Sequence, residues 1–175
     1  GNEGPQSNEA SATADATAPT ISGGTLAGDN AYVDVSFSEG VYTGSDGTGA
    51  LTASDLTYSF NQNGGAASDI SIDNVEKTNG NSLTGGETTV RVQISVSGAP
   101  ASGDETVAIQ PASGTAIYDG AGNAMGSSQS TGTLTLNDRK RPTITDGTLA
   151  GDNAYVDVSF SEGTYANSGG TDPLT

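Results

Sequence analysis

A stretch of this chain occurs twice. GTLAGDNAYVDVSFSEG runs from Gly24 to Gly40 and returns unchanged from Gly147 to Gly163. The flanks follow: Pro19-Thr20-Ile21 recurs as Pro142-Thr143-Ile144 and Leu51-Thr52 as Leu174-Thr175, all at an offset of 123 residues. Self-similarity at a fixed period is the signature of repeat architectures, in which one structural unit is used again along the chain. Any fold for this sequence must therefore be a unit that can be repeated. The period is a common domain size. It divides the chain into a complete repeat, residues 19–141, and the first strands of a next one, residues 142–175. Residues 1–18 read as the tail strand or linker of a preceding, diverged repeat. Asp15 stands four residues before Pro19 as Asp138 stands before Pro142, and Gly1-Asn2 echoes Gly122-Asn123. The expectation is a window on a longer tandem array.

Within the repeat the hydrophobic pattern has a period of two. Val33, Val35 and Phe37 alternate with Tyr32, Asp34 and Ser36, and Val90, Val92, Ile94 and Val96 alternate with Arg91, Gln93 and Ser95. Such alternation puts one face of a strand on a core and the other in water. Shorter runs extend the series: Ile21–Leu26, bent or bulged at Gly23-Gly24, then Leu56–Phe60, Ile70–Ile72, Thr106–Ile109 and Thr133–Leu136. Turn clusters separate them at Gly44–Gly49, Asn63-Gly64-Gly65, Asn79-Gly80-Asn81 and Gly120–Asn123. With 26 Gly in the chain, long helices are not expected; one helical turn is expected at Thr52–Asp55, capped by Thr52. Seven short strands in about 120 residues predict an all-β, immunoglobulin-like two-sheet sandwich, with a barrel as the alternative.

Composition narrows the chemistry. The chain has no Cys and no His, so thiolate metal sites, disulfides and the commonest general base are absent. Its formal net charge is −16, which repels nucleic acid and anionic membrane surfaces and attracts divalent cations. No apolar run approaches the length of a membrane span, so membrane insertion is not expected. Neither Ser/His/Asp nor Cys/His catalysis can be assembled, and without Trp there is little aromatic platform for a glycosidase cleft. The Gly-rich stretches lack the Lys-Ser/Thr of a phosphate loop. The reading is that the protein is not an enzyme. The connector Asn137-Asp138-Arg139-Lys140-Arg141-Pro142 holds three of the five basic residues and no Gly, which predicts limited bending between neighbouring repeats.

Three segments carry a family resemblance. Val35-Ser36-Phe37-Ser38-Glu39-Gly40-Val41, Leu51–Leu56 and Ile117-Tyr118-Asp119-Gly120-Ala121-Gly122-Asn123-Ala124 resemble, in order and spacing, motifs of bacterial Ig-like repeats. Such repeats occur in large secreted adhesins, surface fibres and motility-associated proteins. The resemblance covers residues 19–141 and, for its first part, 142–175. It implies an extracellular or cell-surface setting and a structural role, with neighbouring repeats of the same chain as the immediate partners and an unknown surface or glycan as the ligand.

The residues suited to chemistry are loop carboxylates and amides. Calcium takes six to eight oxygen ligands and tolerates irregular geometry. Asp119 and Asn123 in their Gly-rich turn form one candidate pair. Asn137 and Asp138 in the connector, with Asp152 and Glu162 of the next copy, form a second set. Asp15, Asp29 and Glu39 form the corresponding set at the preceding junction. Against this stands the ordinary use of Asp and Asn in turns, where their side chains bond nearby backbone. The leading functional expectation is a repeat of an adhesin or matrix fibre, stiffened by calcium or assembled into fibres by strand exchange. The alternative is a carbohydrate-binding or spacer module of a secreted multidomain enzyme.

Overall fold

The computed structural model describes residues 15–166 and 170–172, so most of the 1–18 tail and the second Leu174-Thr175 lie outside the described residues. The chain divides into two compact units, Gly1–Asp138 and Arg139–Thr175. The first contains strands β1 (Ile21–Leu26), β2 (Tyr32–Val41), β3 (Leu56–Asn61), β4 (Ala67–Glu76), β5 (Glu87–Gly98), β6 (Thr106–Pro111) and β7 (Leu134–Thr135). A single 3₁₀ turn at Ala53–Asp55 precedes β3. The Asp55 carboxylate accepts hydrogen bonds from the Thr52 backbone N–H and hydroxyl at 2.8 Å, which fixes that turn. Among the described residues no helix is long and apolar enough to cross a membrane.

The strands form two separate antiparallel sheets, ordered β1-β2-β5-β4 and β3-β6-β7, so they do not close into a barrel. Alternation explains how the sheets face each other. Val33, Val35 and Phe37 of β2 and Val90, Val92 and Ile94 of β5 are buried. Register places Val33 opposite Val92 and Val35 opposite Val90, cross-strand pairs of the kind that stabilise a sheet. From the other sheet Leu56, Val107 and Ile109 join the same cluster, with Ile117, Met125 and Leu136 filling in from the connections. On the outer face Asp34 lies opposite Arg91. The guanidinium makes a forked contact with that carboxylate at 2.8 and 2.9 Å and stacks on the Tyr32 ring. Gly24 of β1 is a close-approach position: a Cβ there would fall 2.7 Å from the Thr131 side chain, so glycine lets β1 lie against the segment leading to β7.

The second unit contains β8 (Ile144–Leu149) and β9 (Val156–Phe160), an antiparallel hairpin. It reproduces β1–β2 in detail. Ile21 pairs with Phe37 and Ile144 with Phe160, and a register shift follows the first residue of each strand. Both turns close with Asn in a left-handed conformation, Asn30 at φ 61° and Asn153 at φ 59°. The surroundings differ. Val33 and Val35 are fully buried, whereas Val156 and Val158 are 55% and 44% exposed.

One buried charge organises the first unit. The Glu105 side chain is inaccessible to solvent and accepts hydrogen bonds from the backbone N–H of Ala67 at 2.7 Å and of Ser102 at 3.0 Å. Burial opposes ionisation, but the amides of Ala67 and Ser102 outweigh it and hold the carboxyl below its ordinary range. A folded pKa below the unfolded one gives stability that is complete above the unfolded value and lost as pH falls through the folded value. Glu105→Gln is expected to cost about 1–3 kcal/mol in urea denaturation at pH 7, because a buried amide group is left facing amide donors. The gap from the parent chain should narrow once the pH drops below about 4.3.

Candidate cation site

The Asp119 loop is held between two isolated antiparallel bridges, Tyr42 with Tyr118 and Tyr118 with Ala124. The backbones of Tyr42 and Tyr118 exchange two hydrogen bonds of 2.8 Å, which fasten this loop to the segment just after β2. Gly122, at φ 89°, turns the chain back so that Asn123 faces Asp119. Asp119 is fully buried. One carboxylate oxygen accepts from the backbone N–H of Ala121 at 2.9 Å and of Asn123 at 2.7 Å, and the other from the Asn123 side-chain amide at 2.7 Å. Burial works against the charge, but the Asn123 side chain and the loop amides more than offset it and lower the pKa. Asp119 is thus a fixed anion.

Two further carboxylates converge on it. Glu39 lies in the last part of β2, where pairing with β5 shifts register between Ser36 and Val41. Asp15 approaches from the segment before β1, whose backbone is tethered by the Asn123 side-chain amide to the Asp15 carbonyl at 3.1 Å. Carboxylate oxygens of Asp15, Glu39 and Asp119 all lie within 4.8 Å of one another. This cluster could hold a metal ion. Desolvation first, and then the negative charges of Asp119 and Asp15, raise the Glu39 pKa. The neighbouring loops pack backbone to backbone: a Cβ on Gly47 would collide with the Gly120 carbonyl.

The other sequence candidates occupy different places. Asp29 and Asp152 each accept a hydrogen bond from the backbone two residues on, Ala31 at 3.1 Å and Ala154 at 3.0 Å, and so shape the two hairpin turns. Asn137 serves the fold. Its side-chain amide donates to the Ala27 carbonyl and the Asn30 side chain, each at 3.0 Å, while Asn30 donates to the Asn137 carbonyl at 2.8 Å. These bonds tie the β1–β2 turn to the segment after β7. Asp138 ends the first unit. Glu162 takes the position in the second hairpin that Glu39 holds in the first, and its Oε1 is buried without a hydrogen-bond partner. The sequence groups Asp15 with Asp29 and Glu39 and pairs Asp119 with Asn123. The fold keeps Asp119 with Asn123 and draws Asp15 and Glu39 to them, leaving Asp29 in its turn. Asn123 proves to be the residue that fastens the Asp15 segment.

Compared with protein-family models, curated proteins and solved structures, the chain matches none.

Glu39 and Asp119 respond oppositely to change. A carboxyl whose folded pKa is raised penalises folding: the penalty is absent below the unfolded pKa and complete above the folded one. Glu39→Gln is therefore expected to raise the melting temperature at pH 7 in the presence of a chelator. Asp119→Ala is expected to lower it at the same pH, because three donors lose their acceptor. Differential scanning calorimetry of the two variants checks both signs.

Proposed function

We propose that this chain is a structural repeat module, immunoglobulin-like in topology, of an extracellular bacterial adhesin or matrix fibre, with calcium bound at the Asp15–Glu39–Asp119 cluster. The observation that carries the reading is the pair of hairpins. Nearly the same residues form the same register, the same shift and the same turn in two places. A hairpin that keeps its pairing wherever its sequence recurs suits a unit in serial use. The strand order supports the immunoglobulin-like topology: β1-β2-β5-β4 against β3-β6-β7 follows the ABED and CFG sheets of constant-type domains.

The cation explains an otherwise unfavourable arrangement. Three carboxylates at such separation, in a chain of net charge −16, repel one another, and a hard divalent ion coordinated by oxygens removes that repulsion. Asp15 precedes β1, whereas Glu39 and Asp119 belong to the sandwich, so an ion held by all three would clamp the incoming chain to the body of the repeat. Binding to the folded state alone stabilises it by mass action. Between modules the mechanism is geometric. Strand rise gives each sandwich a span of roughly 25–40 Å, and the acidic surface keeps neighbouring fibres apart.

Force spectroscopy on tandem copies of residues 19–141 tests this function; in such a series Asp138 of each copy takes the place of Asp15 for the next. A regular series of unfolding events is expected, each releasing about 400 Å of contour length, at forces that rise when millimolar calcium replaces chelator. Equal forces in both solutions would remove the cation; an irregular trace would remove the load-bearing module.

A further inference from the structure

We infer that the β8–β9 hairpin of one copy of this chain can take the place of β1–β2 in the sandwich of a second copy. The inference extends the strand-exchange expectation to a defined partner and register, and it does not depend on the cation site.

The seat is visible because a hairpin of nearly the same sequence already occupies it. β2 is flanked on one side by β1 and on the other by β5. Among the described residues β9 is paired only with β8 and presents Val156, Val158 and Phe160 to solvent, with Ile144 and Leu149 of β8 also exposed. Carrying the register of β2 against β5 over to β9 sets Val158 opposite Val90 and Val156 opposite Val92. The polar face transfers as well. Asp157 replaces Asp34 as the carboxylate gripped by Arg91, and Tyr155 replaces Tyr32 beneath the same guanidinium. Asn153 has the left-handed backbone that Asn30 uses to meet Asn137.

Over residues 21–41 and 144–164 the segments differ at three positions. Fully buried Val41 is matched by Thr164, so the exchanged strand is the part of β9 up to Phe160. The first two differences fall in β8. Gly24, the close-approach position against Thr131, is matched by Gly147. Gly23 is replaced by Asp146; a Cβ at Gly23 meets nothing within 4 Å, but Gly23 sits at φ 159°, so the backbone must adjust there to accept Asp146. Ser22, replaced by Thr145, is exposed. A strand shifted by one residue would turn its apolar side outward, so identity of register matters more here than general stickiness.

In the seat β8–β9 remakes the pairing of β2 with β5 and the packing of Val33, Val35 and Phe37 that β1–β2 gives up, so exchange of this nearly identical element carries a small energetic cost. Each exchange leaves one β1–β2 free, able to enter a further copy. In the parent chain the attached β1–β2 competes at high effective concentration, and the monomer dominates in dilute solution. Damage to β1–β2 tips the balance.

The test compares Val35→Asp, Val158→Asp and the double variant by light scattering and thermal melting. Val158→Asp is expected to melt like the parent, since Val158 is exposed. Val35→Asp is expected to keep a cooperative melt whose midpoint rises with protein concentration, at a mass of two copies or more. The double variant is expected to lose the melt. Loss of the melt in Val35→Asp alone, or a folded monomer of it, overturns the inference. A second experiment leaves the core intact. Ser36 and Thr89 hydroxyls approach to 3.5 Å, and Ser159 is the counterpart of Ser36. In a chain otherwise free of cysteine, Thr89→Cys with Ser159→Cys, concentrated and oxidised, should yield 89–159 disulfides between chains by peptide mapping. Only 159–159 links, or 89–159 links confined to monomers, contradict it.

Discussion

The seam between β2 and β5 is the constraint on which the rest depends. Val33, Val35, Val90 and Val92 are fully buried there, and their pairing sets the register of the four-stranded sheet. Once β2 is fixed, β1 follows through its hairpin turn, and Asn30 meets Asn137 to anchor the segment after β7. The far end of β2 carries Glu39 and leads to Tyr42, which holds the Asp119 loop. The candidate cation site is thus placed by the same strand that builds the core. Remove the neighbour and the strand retains its shape but loses its shelter, as β9 shows with the same residues.

Much of this was legible in the sequence because strands advertise themselves by alternation. β2 and β5 alternate cleanly, and the duplicated segment announces its own recurrence. β4 was only partly legible: Ile70–Ile72 stood out, whereas the strand runs from Ala67 to Glu76. Its outer positions carry Ser68, Asp69, Asp73 and Asn74, which read as loop. Pairing order was not legible, since alternation says which face is buried and not which strand lies beside it. Glu105 left no local signal either. Its burial depends on amides of Ala67 and Ser102, and the first of these is remote in sequence.

The candidate site shows the same division. Each of Asp15, Glu39 and Asp119 could be picked out as a carboxylate in a suitable loop or strand end. Their convergence required the Tyr42–Tyr118 bridge and the Asn123 tether, both formed by residues far apart in the chain. Electrostatics then distinguishes the members. The hydrogen bonds of Asp119 lower its pKa, while burial first and then the charges of Asp119 and Asp15 raise that of Glu39. On the proposed reading, a cation at this cluster would relieve that unfavourable charge.

Whether residues 19–141 form one period of an extended series is tested most directly by small-angle scattering from chains carrying two, three and four copies. The predicted result is a maximum dimension that grows linearly, by roughly 25–40 Å per copy, as set by strand rise. A radius of gyration that grows only as about the 0.38 power of chain length, the scaling of a single compact body, would contradict it.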